Sequence, residues 1–202
     1  MRKIVLASAS PRRREILQKL GLEFEVLVAD VDESSAERDP GALCSLLARR
    51  KGEAVLKKLK ENGALTPETV IIASDTVVAV ETDAGWEIFG KPKDEADARR
   101  MLSALSGRSH FVYSGIYLWG GRGVASFDRT EVVFKPLTPA QIDDYIASGE
   151  PFGKAGGYAI QGLAGAFIAR TCGDYYTVVG LPVEKMRRLF RESFPNAAPL
   201  IE

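Results

Sequence analysis

The run Val70-Ile71-Ile72-Ala73 constrains the fold more than any other stretch, because it is apolar at every position. A half-exposed strand alternates polar and apolar residues. One that is apolar throughout has to be covered on both faces, as the central strands of helix-flanked sheets are. The run leads into Ser74-Asp75-Thr76. A carboxylate directly after such a strand is expected at the carboxyl edge of the sheet, where open α/β folds place ligands. The plainer alternative is a turn aspartate whose side chain caps Val77 or Val78.

A second buried strand, Lys3 to Ala7, gives way to Ser8-Ala9-Ser10-Pro11-Arg12-Arg13-Arg14 and then to a helical pattern with Ile16, Leu17 and Leu20 inward and Gly21 as its stop. Ser10 suits an N-cap and Pro11 the first helical position, where its missing N–H is no loss. Three arginines in that first turn oppose the helix dipole, which favours carboxylates there. A bound phosphate would relieve the conflict, since free N–H groups and guanidinium forks both converge on negative charge. Three solvated arginines on an exposed helix are the alternative.

Along the rest of the chain, Phe24, Val26 and Val28 alternate as a strand that enters the acidic loop 30–34, which makes Glu33 a candidate metal or base contact. Residues 40–60 form the longest helical pattern, with a basic cluster at Arg49, Arg50 and Lys51. Val77–Val80 and Trp86–Phe89 read as a hairpin that delivers Gly90-Lys91-Pro92, followed by a helix capped by Asp94 and running to Leu105. His110–Trp119 and Val124–Phe134 read as long strands, and Thr138-Pro139 opens a helix to Ser148. From Gly149 to Gly165 there are six glycines set around Lys154 and a strand-like Tyr158–Gln161, a density that signals special backbone shapes or close approaches. Phe167–Ala169 and Tyr175–Val179 are further strand candidates, a last helix runs from Pro182 to Phe190, and the end after Pro195 reads as frayed.

With 27 basic and 27 acidic residues the formal net charge is zero, so no general attraction to nucleic acid or to an anionic membrane is expected. No apolar stretch approaches the roughly 20 residues a bilayer demands, and no leader pattern opens the chain. A soluble cytoplasmic protein is the expectation. Cys44 and Cys172 stand apart and read as two buried thiols, and the single histidine, His110, cannot build a triad or metal cluster and reads as structural.

Taken in order, Ser8-Ala9-Ser10-Pro11-Arg12-Arg13, Ser74-Asp75-Thr76-Val77-Val78, Gly90-Lys91-Pro92, Ser114-Gly115, Lys154-Ala155-Gly156 with Tyr158–Gly162, and Val178–Pro182 resemble the Maf family of nucleoside triphosphate pyrophosphatases. The resemblance implies one α/β domain over residues 1–202, inosine triphosphatase-like, with an elongated mixed sheet flanked by helices and a central cleft between two intimate lobes. The segment from Lys154 to Gly162 resembles the dTTP- and UTP-hydrolysing branch, with Gly157 where alanine or another small residue is expected. By the same resemblance Ser8, Ser10, Arg12, Arg13, Lys51 and Lys91 bind phosphates, Lys154 binds substrate, Asp75 is the base or holds a divalent cation (Mg2+ or Mn2+) with Glu33, and Thr76 and Gln161 read the base. A Gln amide offers both donor and acceptor to the uracil or thymine edge. Family likeness also implies a homodimer, for which the sequence displays no apolar patch. Two other readings stand beside this one: a nucleotide-responsive regulator of cell division with incidental hydrolysis, and a house-cleaning hydrolase for deaminated purines such as ITP.

Overall fold

The computed structural model describes residues 3–194; the stretch expected to fray after Pro195 lies outside them. A mixed sheet of seven strands forms its centre. Strand β1 (Lys3–Leu6) pairs in parallel with β2 (Phe24–Val26) on one side and with the start of β3 (Thr69–Thr82) on the other. The other edge of β3 pairs antiparallel with β5 (Ser109–Trp119), β5 with β6 (Gly123–Phe134), and β6 with β7 (Ile168–Cys172). Strand β4 (Gly85–Phe89) returns as a hairpin onto the far part of β3.

One expectation is corrected here. Val70–Ala73 and Val77–Val80 are a single strand of 14 residues, so Asp75 lies inside β3 and not beyond its end. Nothing at Ser74-Asp75-Thr76 breaks the chain, because β5 pairs along it, with Asp75 opposite Gly115. What stops there is the neighbour. Along the other edge β1 reaches Ile72 and β4 begins at Val78, which leaves residues 73–77 with no strand beside them. The gap in the sheet edge, not a strand end, lets the buried Asp75 carboxylate line the cleft.

Helices cover both faces, as the apolar run demands. On one face Val70 and Ile72 pack with Ile16 and Leu17 of α1 (Pro11–Lys19) and with Met186 and Phe190 of α6 (Val183–Ser193). Farther along that face, Val78 and Val80 meet α3 (Glu95–Leu105) and α4 (Pro139–Ala147). The opposite face belongs to α2 (Pro40–Glu61), whose Ala48, Val55 and Leu59 cover Ile71 and Ala73. Local signals place these helices well: Asp39 and Asp94 accept N–H groups of Ala42 and Asp97, and Thr138 with Gln141 forms a capping box. α2 lies unusually close to the sheet, since a Cβ on Gly115 would collide with the Cys44 main chain and one on Gly52 with the Tyr117 ring.

Three local expectations fail. Tyr175–Val179 is a short helix, α5, despite its β-favouring residues: Asp174 caps it through the Tyr176 N–H at 3.0 Å, and Gly180 at φ 122° ends it. Tyr158–Gln161 forms no strand, because Gly156 and Gly157 both turn at positive φ and deliver the Tyr158 ring into the core. Cys172 is exposed on β7, whereas Cys44 is buried as expected. His110 is fully buried against Phe134 and Tyr158, with Nε2 at 2.8 Å from the Tyr158 hydroxyl. Among the described residues, no helix is long and apolar enough to cross a membrane.

Candidate active site

A cleft of about 730 Å³ opens where the sheet edge is interrupted, and it is lined by residues of both sheet faces. β1 ends at Leu6, and the loop from Ser8 to Ser10 with the first turn of α1 forms one wall. Ser10 does occupy the N-cap, but its side chain makes no capping bond; its own N–H donates to Ser8 Oγ at 3.2 Å. Among the described residues, no side chain caps the first-turn N–H groups of α1, and that turn lies at the cleft.

Arg13 is the knot of this wall. Its guanidinium donates through Nε to the Gly180 carbonyl at 2.8 Å, through Nη1 to Ser8 Oγ at 2.9 Å and through Nη2 to Thr76 Oγ1 at 3.1 Å. Thr76 in turn sits 2.9 Å from Ser114 Oγ, which donates to the Thr177 carbonyl at 2.7 Å. One planar fork holds three segments, and one N–H on each terminal nitrogen has no partner among the described residues. Burial lowers the pKa of both Arg12 and Arg13 from the usual guanidinium value. Arg12 Nε is buried without a hydrogen-bond partner among the described residues, an orphan donor whose side chain lines the cleft. Arg14, by contrast, is exposed.

The opposite wall holds the carboxylates. Lys51, presented by α2, donates to Asp75 Oδ1 at 2.5 Å and pairs with Glu33 Oε1 at 2.7 Å. Of the basic cluster 49–51, only Lys51 faces inward: Arg49 pairs with Glu53, and Arg50 donates to the carbonyls of Asp32 and Ser34. The hydrogen bond from Lys51 holds the Glu33 carboxyl below the usual carboxylate range, against the opposing effect of burial. Asp75 Oδ2 has no partner among the described residues. Lys91, Lys154 and Gln161 also line the cleft, the first and last exposed. The Lys154 ammonium donates to the Glu150 carbonyl at 2.5 Å, and burial, with Arg12 nearby, lowers its pKa. Five basic side chains, Arg12, Arg13, Lys51, Lys91 and Lys154, thus share the cleft with three acidic ones, Asp30, Glu33 and Asp75.

All ten residues singled out from the sequence as substrate-binding or catalytic line this one cleft, with Glu33 beside them. Sequence reading overlooked the Gly180 carbonyl, the Ser114 hydroxyl and Glu150. The first two lie in motifs already noted, but nothing local tells that a carbonyl or hydroxyl will face a distant arginine. No group of three or more His, Cys, Asp or Glu side chains suited to a metal occurs among the described residues. Asp75 and Glu33 offer hard oxygen donors that converge on the Lys51 ammonium. Such a pair fits a Mg2+-like ion that completes its shell with phosphate oxygens and water.

The chain matches the family described as Maf-like protein over residues 3–193. It is 47% identical over 192 residues to a dTTP/UTP pyrophosphatase of Chromobacterium violaceum, covering 94% of each chain. It is 43% identical to a dTTP/UTP pyrophosphatase of a Thermoanaerobacter species, covering 95% of this chain and 97% of that one. Among solved structures, the Staphylococcus aureus Ham1 protein superposes on 66% of this chain and 72% of its own with a TM-score of 0.45 and 17% identity. That overlap is too partial to bear on the fold, which the sheet itself establishes as α/β.

Proposed function

The chain belongs to the Maf family, and on that premise we propose that it hydrolyses dTTP and UTP to the monophosphate and pyrophosphate in the cleft between two lobes of one domain. The observation that carries this reading is the pairing of walls across the sheet gap: an arginine-bearing helix N-terminus on one side and Asp75, with a free oxygen, on the other.

Breaking the α–β anhydride of a triphosphate builds negative charge on the departing pyrophosphate, so catalysis rests on positioning and electrostatic stabilisation. In the proposed reading, Arg12 with its unpaired Nε, the free N–H groups of Arg13, Ser8, Ser10 and the first turn of α1 take phosphate oxygens. Lys91 and Lys154 neutralise others. Lys51 occupies Asp75 Oδ1, which leaves Oδ2 to accept a proton from the attacking water. The water oxygen bonds to phosphorus, and the bridging oxygen leaves with pyrophosphate. Gln161, with Thr76 beside Arg13, selects a pyrimidine that carries an O4 and N3–H edge. Asp75 and Glu33 would hold the divalent cation, whose chemistry when bound is to neutralise phosphate charge.

A regulator that only binds nucleotide needs no carboxylate oxygen placed to take a proton from water, and Asp75 Oδ2 favours the enzyme on that ground. Purified protein incubated with a panel of triphosphates and Mg2+ or Mn2+ tests the proposal. Pyrophosphate released from dTTP and UTP supports it; release from ITP alone, or from none, overturns it.

A further inference from the structure

Away from the residues already given a part in the reaction, contacts at the rim of the cleft concentrate on Glu150, just past the end of α4. Its Oε2 accepts the Leu163 N–H at 3.0 Å, and its Oε1 accepts the Tyr145 hydroxyl at 2.9 Å and the Ala164 N–H at 3.4 Å. Its main chain is engaged as well: the N–H donates to Ser148 Oγ at 3.2 Å, and the carbonyl takes Lys154 Nζ at 2.5 Å. Gly162 lies so close over the carboxylate that any Cβ there would collide with it. Burial pushes the Glu150 carboxyl up, but the Leu163, Tyr145 and Ala164 donors outweigh it and hold the group below its ordinary value, an anion at neutral pH.

The consequence lies one residue upstream of Gly162. Gln161 is exposed in the cleft, and its amide makes no hydrogen bond among the described residues, so its aim depends on the backbone of the turn that follows it. That turn is tied through Glu150 to α4, while the carbonyl of the same residue fixes the Lys154 ammonium.

We propose that Glu150 is a positioning residue for base selection, clamping the turn from Gln161 to Ala164 so that the Gln161 amide meets the pyrimidine edge while Lys154 and Arg12 hold the phosphates. The inference rests on the proposed function for the identity of the base.

UTP and CTP differ at the edge that a Gln amide reads, so the ratio of their kcat/KM values reports the aim of Gln161. In Glu150→Ala that ratio falls by about tenfold to a hundredfold, the range for displacing a positioned group by an ångström or so, and hydrogen exchange at the Leu163 and Ala164 amides quickens. Glu150→Gln keeps an oxygen for the Leu163 N–H and can donate to the Tyr145 hydroxyl, so it restores most of the ratio. Calorimetric affinities for UMP and CMP read the same preference without turnover. A wild type that binds UMP over CMP but hydrolyses nothing therefore refutes the proposed function alone, and the variants still decide the inference. It is overturned if Glu150→Ala lowers thermal stability or overall rate with the UTP/CTP and UMP/CMP ratios intact, or if the wild type prefers neither pyrimidine in either assay.

Discussion

The buried imidazole of His110 should make the protein acid-sensitive by a calculable amount. Burial pushes its pKa from 6.5 down to about 4, so the folded protein keeps the ring neutral through a window in which the unfolded chain takes up a proton. Stability is therefore fully present above about pH 6.5 and declines as pH falls toward about 4. At about 1.4 kcal/mol per pH unit, the gap amounts to about 3 kcal/mol, most of it already lost at pH 4.5. That is a large share of the stability of an ordinary domain. It also reaches the site, because His110 holds the Tyr158 hydroxyl and Tyr158 lines the cleft. Urea unfolding of the wild type and of His110→Phe at pH 7.5 and pH 4.5 measures the effect. Carboxylate titration is common to both proteins, so the wild type should lose about 2 to 3 kcal/mol more than the variant over that interval. Parallel losses in the two proteins would refute the argument and show that the imidazole is charged, or solvated, in the folded state.

Asp75→Asn should abolish pyrophosphate release while leaving UMP binding, measured by calorimetry, within a few-fold of wild type; surviving turnover removes Asp75 as the base. Arg13→Lys gives up a fork that bonds Gly180, Ser8 and Thr76 at once, and should cost about 2 to 3 kcal/mol in chemical denaturation. Gly115→Ala forces α2 away from β5 at the residue paired with Asp75, which should destabilise by at least about 2 kcal/mol and slow turnover by separating Lys51 from Asp75. EDTA should stop hydrolysis and added Mg2+ restore it, with far-UV circular dichroism unchanged throughout; hydrolysis that persists in chelator would remove the metal from the proposed reaction.

Much of this protein was written locally. The apolar run 70–73 demanded cover on both faces, and α2 on one side with α1 and α6 on the other supply it. The helices starting at Glu95 and Pro139 followed from the caps Asp94 and Thr138, which lie within four residues of the groups they satisfy, and the helix at Pro40 from its apolar periodicity. The arginine-bearing wall of the cleft was legible for the same reason: Ser8, Ser10, Pro11, Arg12 and Arg13 are neighbours in sequence, and their conflict with the helix dipole needs no tertiary information to be seen.

Tertiary structure decided what depends on distant partners. Asp75 reaches the cleft through the gap between β1 and β4, a property of pairing register that no feature of Ser74-Asp75-Thr76 announces. Lys51 differs from Arg49 and Arg50 only in the helix face it occupies, and α2 can bring it to Asp75 only because glycines at 52 and 115 allow the close approach. Tyr175–Val179 has the composition of a strand and became a helix once Asp174 capped it and Gly180 turned. Local pattern records what a segment needs to bury or cap; which far residue meets that need is settled only when the sheet assembles, and here that step joined the carboxylate, the arginine fork and the Glu150 clamp around one cleft.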